Sequence, residues 1–180
     1  MPMKKDISLL IVHYNTPGLL RQTLKGIFGS KQQASFEVIV VDNNPNMRVF
    51  DWIKKEFPQV KLLIAQKHLG FGGGMNFAMP HADGRYLFVF NPDIATFDGT
   101  FDALLTYMES HPDVGMVGPK LLNPDRTLQY SCSKFMKPSI IFYRRIPVLR
   151  SMSFAKKAVD DYQMKNWVHD EVAEVDYLLG

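Results

Sequence analysis

Four apolar runs of strand length, each followed by polar or glycine-rich turn residues, constrain what this 180-residue chain can fold into. Ile7-Ser-Leu-Leu-Ile-Val12 runs into His13-Tyr14-Asn15-Thr16-Pro17-Gly18, and Phe36-Glu-Val-Ile-Val-Val41 into Asp42-Asn43-Asn44-Pro45-Asn46. Val60 to Ala65 precedes the glycine-rich stretch Gly70-Phe-Gly-Gly-Gly74, and Tyr86-Leu-Phe-Val-Phe90 ends at Asn91-Pro92-Asp93. Between the runs, apolar residues recur at helical spacing. Leu19, Leu20, Leu24, Ile27 and Phe28 form one set, with Thr16 as a cap and Pro17 suited to a first helical turn. Val49, Phe50, Ile53 and Phe57 form a second within a helix from Met47 to Phe57, stopped by Pro58. The spacing predicts further helices over 75–79 and 101–110 and another strand over 114–117. Strands that are apolar along their length and alternate with helices predict an α/β fold, a mainly parallel sheet flanked by helices on both faces. In such a sheet, polar residues at the carboxyl ends of the strands gather into one cleft.

Composition narrows the class of protein. An apolar fraction of 46% and a charged fraction of 22% describe an ordinary globular chain, and a net charge of +3 excludes a dedicated nucleic-acid binder. The single cysteine, Cys132, excludes an internal disulfide, fits a reducing compartment and reads as a small buried hydrophobe. Ile7–Val12 is too short for a membrane span, and the N-terminus lacks a cleavable signal pattern, so the expected location is the cytoplasm. Charge is unevenly spread. Residues 134–157 hold seven Lys and Arg residues and no Asp or Glu, interleaved with Phe135, Ile140, Ile141, Phe142, Tyr143, Ile146, Val148, Leu149 and Phe154. That composition suits an anionic membrane surface, at the inner face of the membrane, or else a solvated face with apolar contacts to further protein. The change at this point divides the chain into residues 1–133, the α/β half, and residues 134–180. A strand beginning near Val172 is still open at Gly180, so the chain reads as part of a longer protein.

The candidate site residues each admit two readings. Asp93, at the end of a strand, is a hard oxygen ligand suited to Mg²⁺ or Mn²⁺ beside a diphosphate, or a cap for the turn or helix that follows. Asp42 and Asn43 can hydrogen-bond a base or ribose, or close an Asx turn. Tyr14 can stack on a base or fill the core. The glycines of 70–74 either let a helix pack closely or let backbone N–H groups approach a ligand. They match neither a dinucleotide fingerprint nor a phosphate-binding loop ending in GK[ST]. The five histidines show no zinc spacing, and Asp170-Glu171 reads as solvated surface.

Five segments occur in a telling order: Ile7-Ser-Leu-Leu-Ile-Val-His-Tyr-Asn15, Val40-Val-Asp-Asn-Asn44, His68-Leu-Gly-Phe-Gly-Gly-Gly-Met-Asn76, Phe90-Asn-Pro-Asp-Ile94 and Val117-Gly-Pro-Lys-Leu-Leu-Asn-Pro-Asp125. Together they resemble the inverting family 2 glycosyltransferases of the GT-A fold, with most likeness to the rhamnosyltransferase-like branch that builds surface polysaccharides. The resemblance covers residues 6–133 and resumes at Val175-Asp-Tyr-Leu-Leu-Gly180. It implies that Tyr14 and Asn15 line a base pocket, that Asp42 and Asn43 contact base and ribose, and that Gly70 and Asn76 lie near the diphosphate. Asp93 matches the last residue of the family's metal-binding DxD motif. Asn91 stands in the first position and Pro92 in the middle, a pattern common in this branch, which leaves one carboxylate for Mg²⁺ or Mn²⁺. Pro45-Asn46-Met47 also departs from the family's usual Ser/Thr and Asp at the ribose side.

The implied reaction moves a sugar from a dTDP or UDP donor to a polysaccharide or lipid-linked acceptor. The catalytic base, an acidic residue in the family, is expected beyond Gly180, so this chain is expected to bind donor but transfer sugar poorly by itself. Two alternatives stand beside this reading: a nucleotidyltransferase-like enzyme, and a non-catalytic module that docks on a membrane.

Overall fold

The structure, a computed structural model, describes residues 4–44 and 50–178. These form two compact units, Met1–Val117 and Gly118–Gly180.

The first unit is built on four parallel strands: β1 (Ile7–His13), β2 (Phe36–Asp42), β3 (Lys61–Ile64) and β4 (Tyr86–Phe90), in the order β3-β2-β1-β4. β1 is interior, and all seven of its residues are buried, as its apolar run requires. Alternate side chains feed two cores. Leu9, Ile11, Val38, Val40 and Phe90 face a cluster completed by Leu20, Leu24 and Ile27 of α1 (Pro17–Gly29), Ile53 of α2 (Phe50–Glu56) and Phe101 of α4 (Thr100–Ser110). Leu10, Val12, Ile39 and Val41 face Met75 and Ala78 of α3 (Gly70–Ala78). The expected parallel α/β sheet with helices on both faces is therefore present.

Two local expectations change. The glycines of 70–74 lie within α3 and do not precede it, and Gly74 is on the side of the helix that meets the sheet. A Cβ on Gly74 would stand 2.8 Å from a Val12 methyl, so only glycine lets the helix come this close. Val114–Val117 is not a strand. Gly115 interrupts the run, Met116 is 73% exposed, and the outer edge of β4 is unpaired among the described residues. For the second helix, residues 50–56 are helical and the expected start at Met47 lies outside the described residues.

The second unit begins with a hairpin of β5 (Leu121–Leu122) and β6 (Leu128–Gln129). Its turn is the Asn-Pro-Asp-Arg sequence, closed by the Arg126 N–H donating to the Asn123 carbonyl at 2.8 Å. β7 (Cys132–Ser133) pairs antiparallel with β8 (Tyr177–Leu178), so the compositional boundary at 133/134 falls inside this unit. Between them lie α5 (Pro138–Arg145), α6 (Pro147–Ser151) and α7 (Ser153–Tyr162). Cys132 is buried and unpaired.

Candidate functional site

The register of the sheet brings the strand ends together. His13 is the last residue of β1 and pairs in register with Asp42, the last of β2. On the other side of β1, Phe90 of β4 pairs with Ile11, so Asn91-Pro92-Asp93 leaves the sheet beside the end of β1. The loops carrying Asp42 and Asp93 thus flank one strand, roughly 10 Å apart at the usual interstrand spacing.

His13 and Asp42 are fully buried, with Nδ1 of the imidazole 3.4 Å from Asp42 Oδ1. The Thr16 N–H donates to His13 Nε2 at 3.1 Å. Nε2 is therefore an acceptor, and the neutral ring carries its proton on Nδ1, facing the carboxylate. Burial pushes the imidazole below its ordinary range, against the attraction of Asp42.

Asp42 uses its two oxygens differently. Oδ1 accepts the Asn44 N–H at 3.2 Å, closing an Asx turn, and faces His13. Oδ2 is buried with no hydrogen-bond partner among the described residues. A buried acceptor left unsatisfied costs on the order of 1–3 kcal/mol, more when charged.

Asn43 is also buried, but its amide is used within the protein. Oδ1 accepts the Leu69 N–H at 2.7 Å and Nδ2 donates to the Gly70 carbonyl at 3.1 Å. It clamps the start of α3 to the end of β2. Asn15 plays a similar part, accepting from Asn44 Nδ2 across the gap between the first two strand-end loops, with its own backbone at a left-handed φ of 57°.

The remaining candidates are exposed. Tyr14 is 49% exposed and not part of the core, and its ring meets His68 edge to face at 4.5 Å between centroids. His68 has no signal of its own in the sequence beyond its place in the third family-like segment. Gly70 starts α3 at φ 71° with open space where a Cβ would be. Leu69, its N-cap residue, makes no side-chain cap bond of its own. Asn76 sits on the exposed side of α3 and shares no hydrogen bond with the strand-end residues.

Asp93 is exposed in the turn after β4, and its carboxylate accepts no hydrogen bond and forms no ion pair among the described residues. It does not cap α4, which begins at Thr100. Thr23 Oγ1 donates to the neighbouring Ile94 carbonyl at 3.3 Å and ties that loop to α1. No group of three or more His, Cys, Asp or Glu side chains suited to a metal occurs among the described residues. One free carboxylate fits a hard cation that takes its other oxygens from a diphosphate and water.

Comparison with known proteins shows the family of the chain. The model of glycosyl transferase family 2 matches residues 8–168. The O-antigen biosynthesis protein RfbC of Myxococcus xanthus is 26% identical over 130 residues, which is 69% of this chain and 10% of that protein. The minor teichoic acid biosynthesis protein GgaB of Bacillus subtilis is 27% identical over 114 residues, 59% of this chain and 12% of that protein. Among solved structures, the mannosyltransferase PcManGT from Pyrobaculum calidifontis, in complex with GDP-Man and Mn²⁺, superposes with a TM-score of 0.54 at 18% identity. That match covers 69% of this chain and 37% of the other. S. aureus TarS 1–349 gives 0.53 at 16% identity, covering 72% and 41%. The fold is accordingly that of the GT-A glycosyltransferases, and the chain spans less than half the length of these relatives. With its family model matched over most of its length, the chain belongs to glycosyl transferase family 2.

Proposed function

We propose that the strand-end site binds the nucleotide of a dTDP- or UDP-sugar, rhamnose being a candidate sugar, for inverting transfer to a polysaccharide or lipid-linked acceptor. The observation that carries this reading is Asp42 Oδ2, a buried carboxylate oxygen without a donor among the described residues, at the end of β2 beside the exposed Tyr14 loop. An N–H of a pyrimidine base supplies the missing donor, and the Tyr14 ring offers a stacking face. Asn43 contributes indirectly, by fixing the start of α3, whose N–H groups suit a phosphate. Across β1, the unpartnered Asp93 suits the diphosphate end, with Asn91 beside it. Mg²⁺ or Mn²⁺ held there by Asp93 supplies neutralisation of the charge that develops on the departing diphosphate.

The residues named serve donor binding and the leaving group, and none is assigned as the base that deprotonates the acceptor hydroxyl. The relatives' names point to surface polymers, an O-antigen and a teichoic acid, as the acceptor class. The reading places the protein in the cytoplasm, in peripheral contact with the inner face of the membrane through residues 134–157.

Calorimetric titration with dTDP, UDP and GDP in the presence of Mn²⁺ tests the reading. Saturable one-site binding of dTDP or UDP, in preference to GDP, is expected. A folded chain that binds none of the three contradicts it.

A further inference from the structure

The helices α5, α6 and α7 pack on one another, with Ile140 and Ala155 buried and the Tyr143 and Phe154 rings in edge contact at 5.7 Å between centroids. Around that small core the surface is strongly basic. Of the seven cations between 134 and 157, Lys134 makes an ion pair, with Asp161, and Arg144, Arg145, Arg150 and Lys156 make none among the described residues. An open cleft of about 550 Å³ is lined by Arg144, Arg150 and Lys156, with Tyr143, Gln163 and the Lys165–Asp160 pair along its wall. Arg144 and Arg150 also line a second hollow, with Arg145. Asp160 is paired with Lys165, so the other three cations face one another around the cleft and repel, and an anion seated among them removes that cost.

Large apolar side chains stand exposed next to these cations in the sequence. Phe142 is 58% exposed and Val148 is 67% exposed, and Ile141, Ile146 and Phe154 are exposed as well. Arginines that grip phosphate, set among aromatic and aliphatic side chains open to solvent, match the two layers of an anionic bilayer surface, the headgroups and the upper acyl chains. No helix among the described residues is long and apolar enough to cross a membrane. We propose that the α5–α7 cluster docks on an anionic lipid bilayer, with a headgroup phosphate in the cleft between Arg144, Arg150 and Lys156 and the Phe142 and Val148 side chains in the interface. The inference rests on the proposed function only for the side of the membrane involved, and its residues lie outside the strand-end site.

Co-sedimentation of the 180-residue chain with vesicles tests it, using phosphatidylcholine alone and two parts phosphatidylcholine to one part phosphatidylglycerol. Binding to the phosphatidylglycerol vesicles, weakened by high salt, is expected. R144Q, R150Q and K156Q together weaken it about 100-fold. F142S with V148S weakens it at least about tenfold. The charge variant keeps the nucleotide affinity of the parent chain, so failure of docking and failure of the donor reading register in different assays.

Four results overturn the proposal. They are no binding to phosphatidylglycerol vesicles by folded chain, equal binding to both vesicle types, and release from vesicles by inorganic phosphate at constant ionic strength, which marks a free-phosphate site. The fourth is a chain that is dimeric by light scattering and becomes monomeric in the F142S, V148S variant, which assigns the face to a second copy.

Discussion

His13 and Asp42 close two neighbouring parallel strands at the same level, and their side chains meet 3.4 Å apart with neither exposed to solvent. The imidazole is held from its far side by the Thr16 N–H, so it can offer Asp42 only its Nδ1 proton. The second carboxylate oxygen has no donor among the described residues.

Replacing Asp42 by Asn therefore isolates the acceptor. The shape is kept, but a charged acceptor becomes an amide. Hydrogen bonds to charged groups contribute about 1.5–3 kcal/mol, so Asp42→Asn weakens nucleotide binding about ten- to a hundred-fold. Calorimetry checks this, and an unchanged dissociation constant contradicts the role given to Oδ2.

The same pair sets a pH dependence of stability. Burial places the His13 imidazole below its ordinary value of 6.5 in the folded chain, so the unfolded chain binds a proton that the folded chain refuses. The contribution to stability is complete above 6.5 and is lost as pH falls below it, with a limiting slope of about 1.4 kcal/mol per pH unit for one proton. His169 is shifted the same way by burial and the nearby Lys120, so the parent chain carries both effects. Denaturant titrations at several pH values are expected to show a shallower slope for His13→Asn than for the parent. Equal slopes would mean that His13 is not buried neutral.

The glycines of α3 separate packing from openness. A Cβ on Gly74 meets the Val12 methyls at 2.8 and 2.9 Å, so Gly74→Ala forces helix and sheet apart and costs about 1–3 kcal/mol. Gly72 has open space around it, and Gly72→Ala removes backbone freedom from the unfolded chain, stabilising by about 0.5–1 kcal/mol. Opposite signs in thermal unfolding are the expected result.

The apolar continuity of β1 and β2 made the sheet legible, because strands buried on both faces carry hydrophobic residues throughout. Strand-end placement of Asp42 and Asp93 followed from where those runs stop. Other features were not legible because they depend on contacts between distant residues. The bonds of the Asn43 amide to Leu69 and Gly70, which lie more than twenty residues away, could not be read from its strand-end position. His68 became a site candidate only through its edge contact with Tyr14. Val114–Val117 has strand-like composition, but composition does not show whether a partner strand is available, and here the run is not paired. The glycine run could not reveal its place inside a helix, since glycine disfavours helix locally, and at Gly74 it is required because Val12 leaves no room for anything larger.

The most direct test compares the parent chain with Asp93→Ala in a thermal-unfolding titration with dTDP or UDP, each with Mn²⁺ and with chelator. Because Asp93 is exposed and its carboxylate makes no bond among the described residues, the substitution leaves the stability of the free chain unchanged to within about 0.5 kcal/mol. In the parent, nucleotide with Mn²⁺ at a hundred times its dissociation constant stabilises by about 2.7 kcal/mol, and chelator removes most of that gain. The account predicts that Asp93→Ala loses the metal-dependent part and keeps the metal-independent part contributed by Asp42. Metal-dependent stabilisation of equal size in both proteins would contradict it.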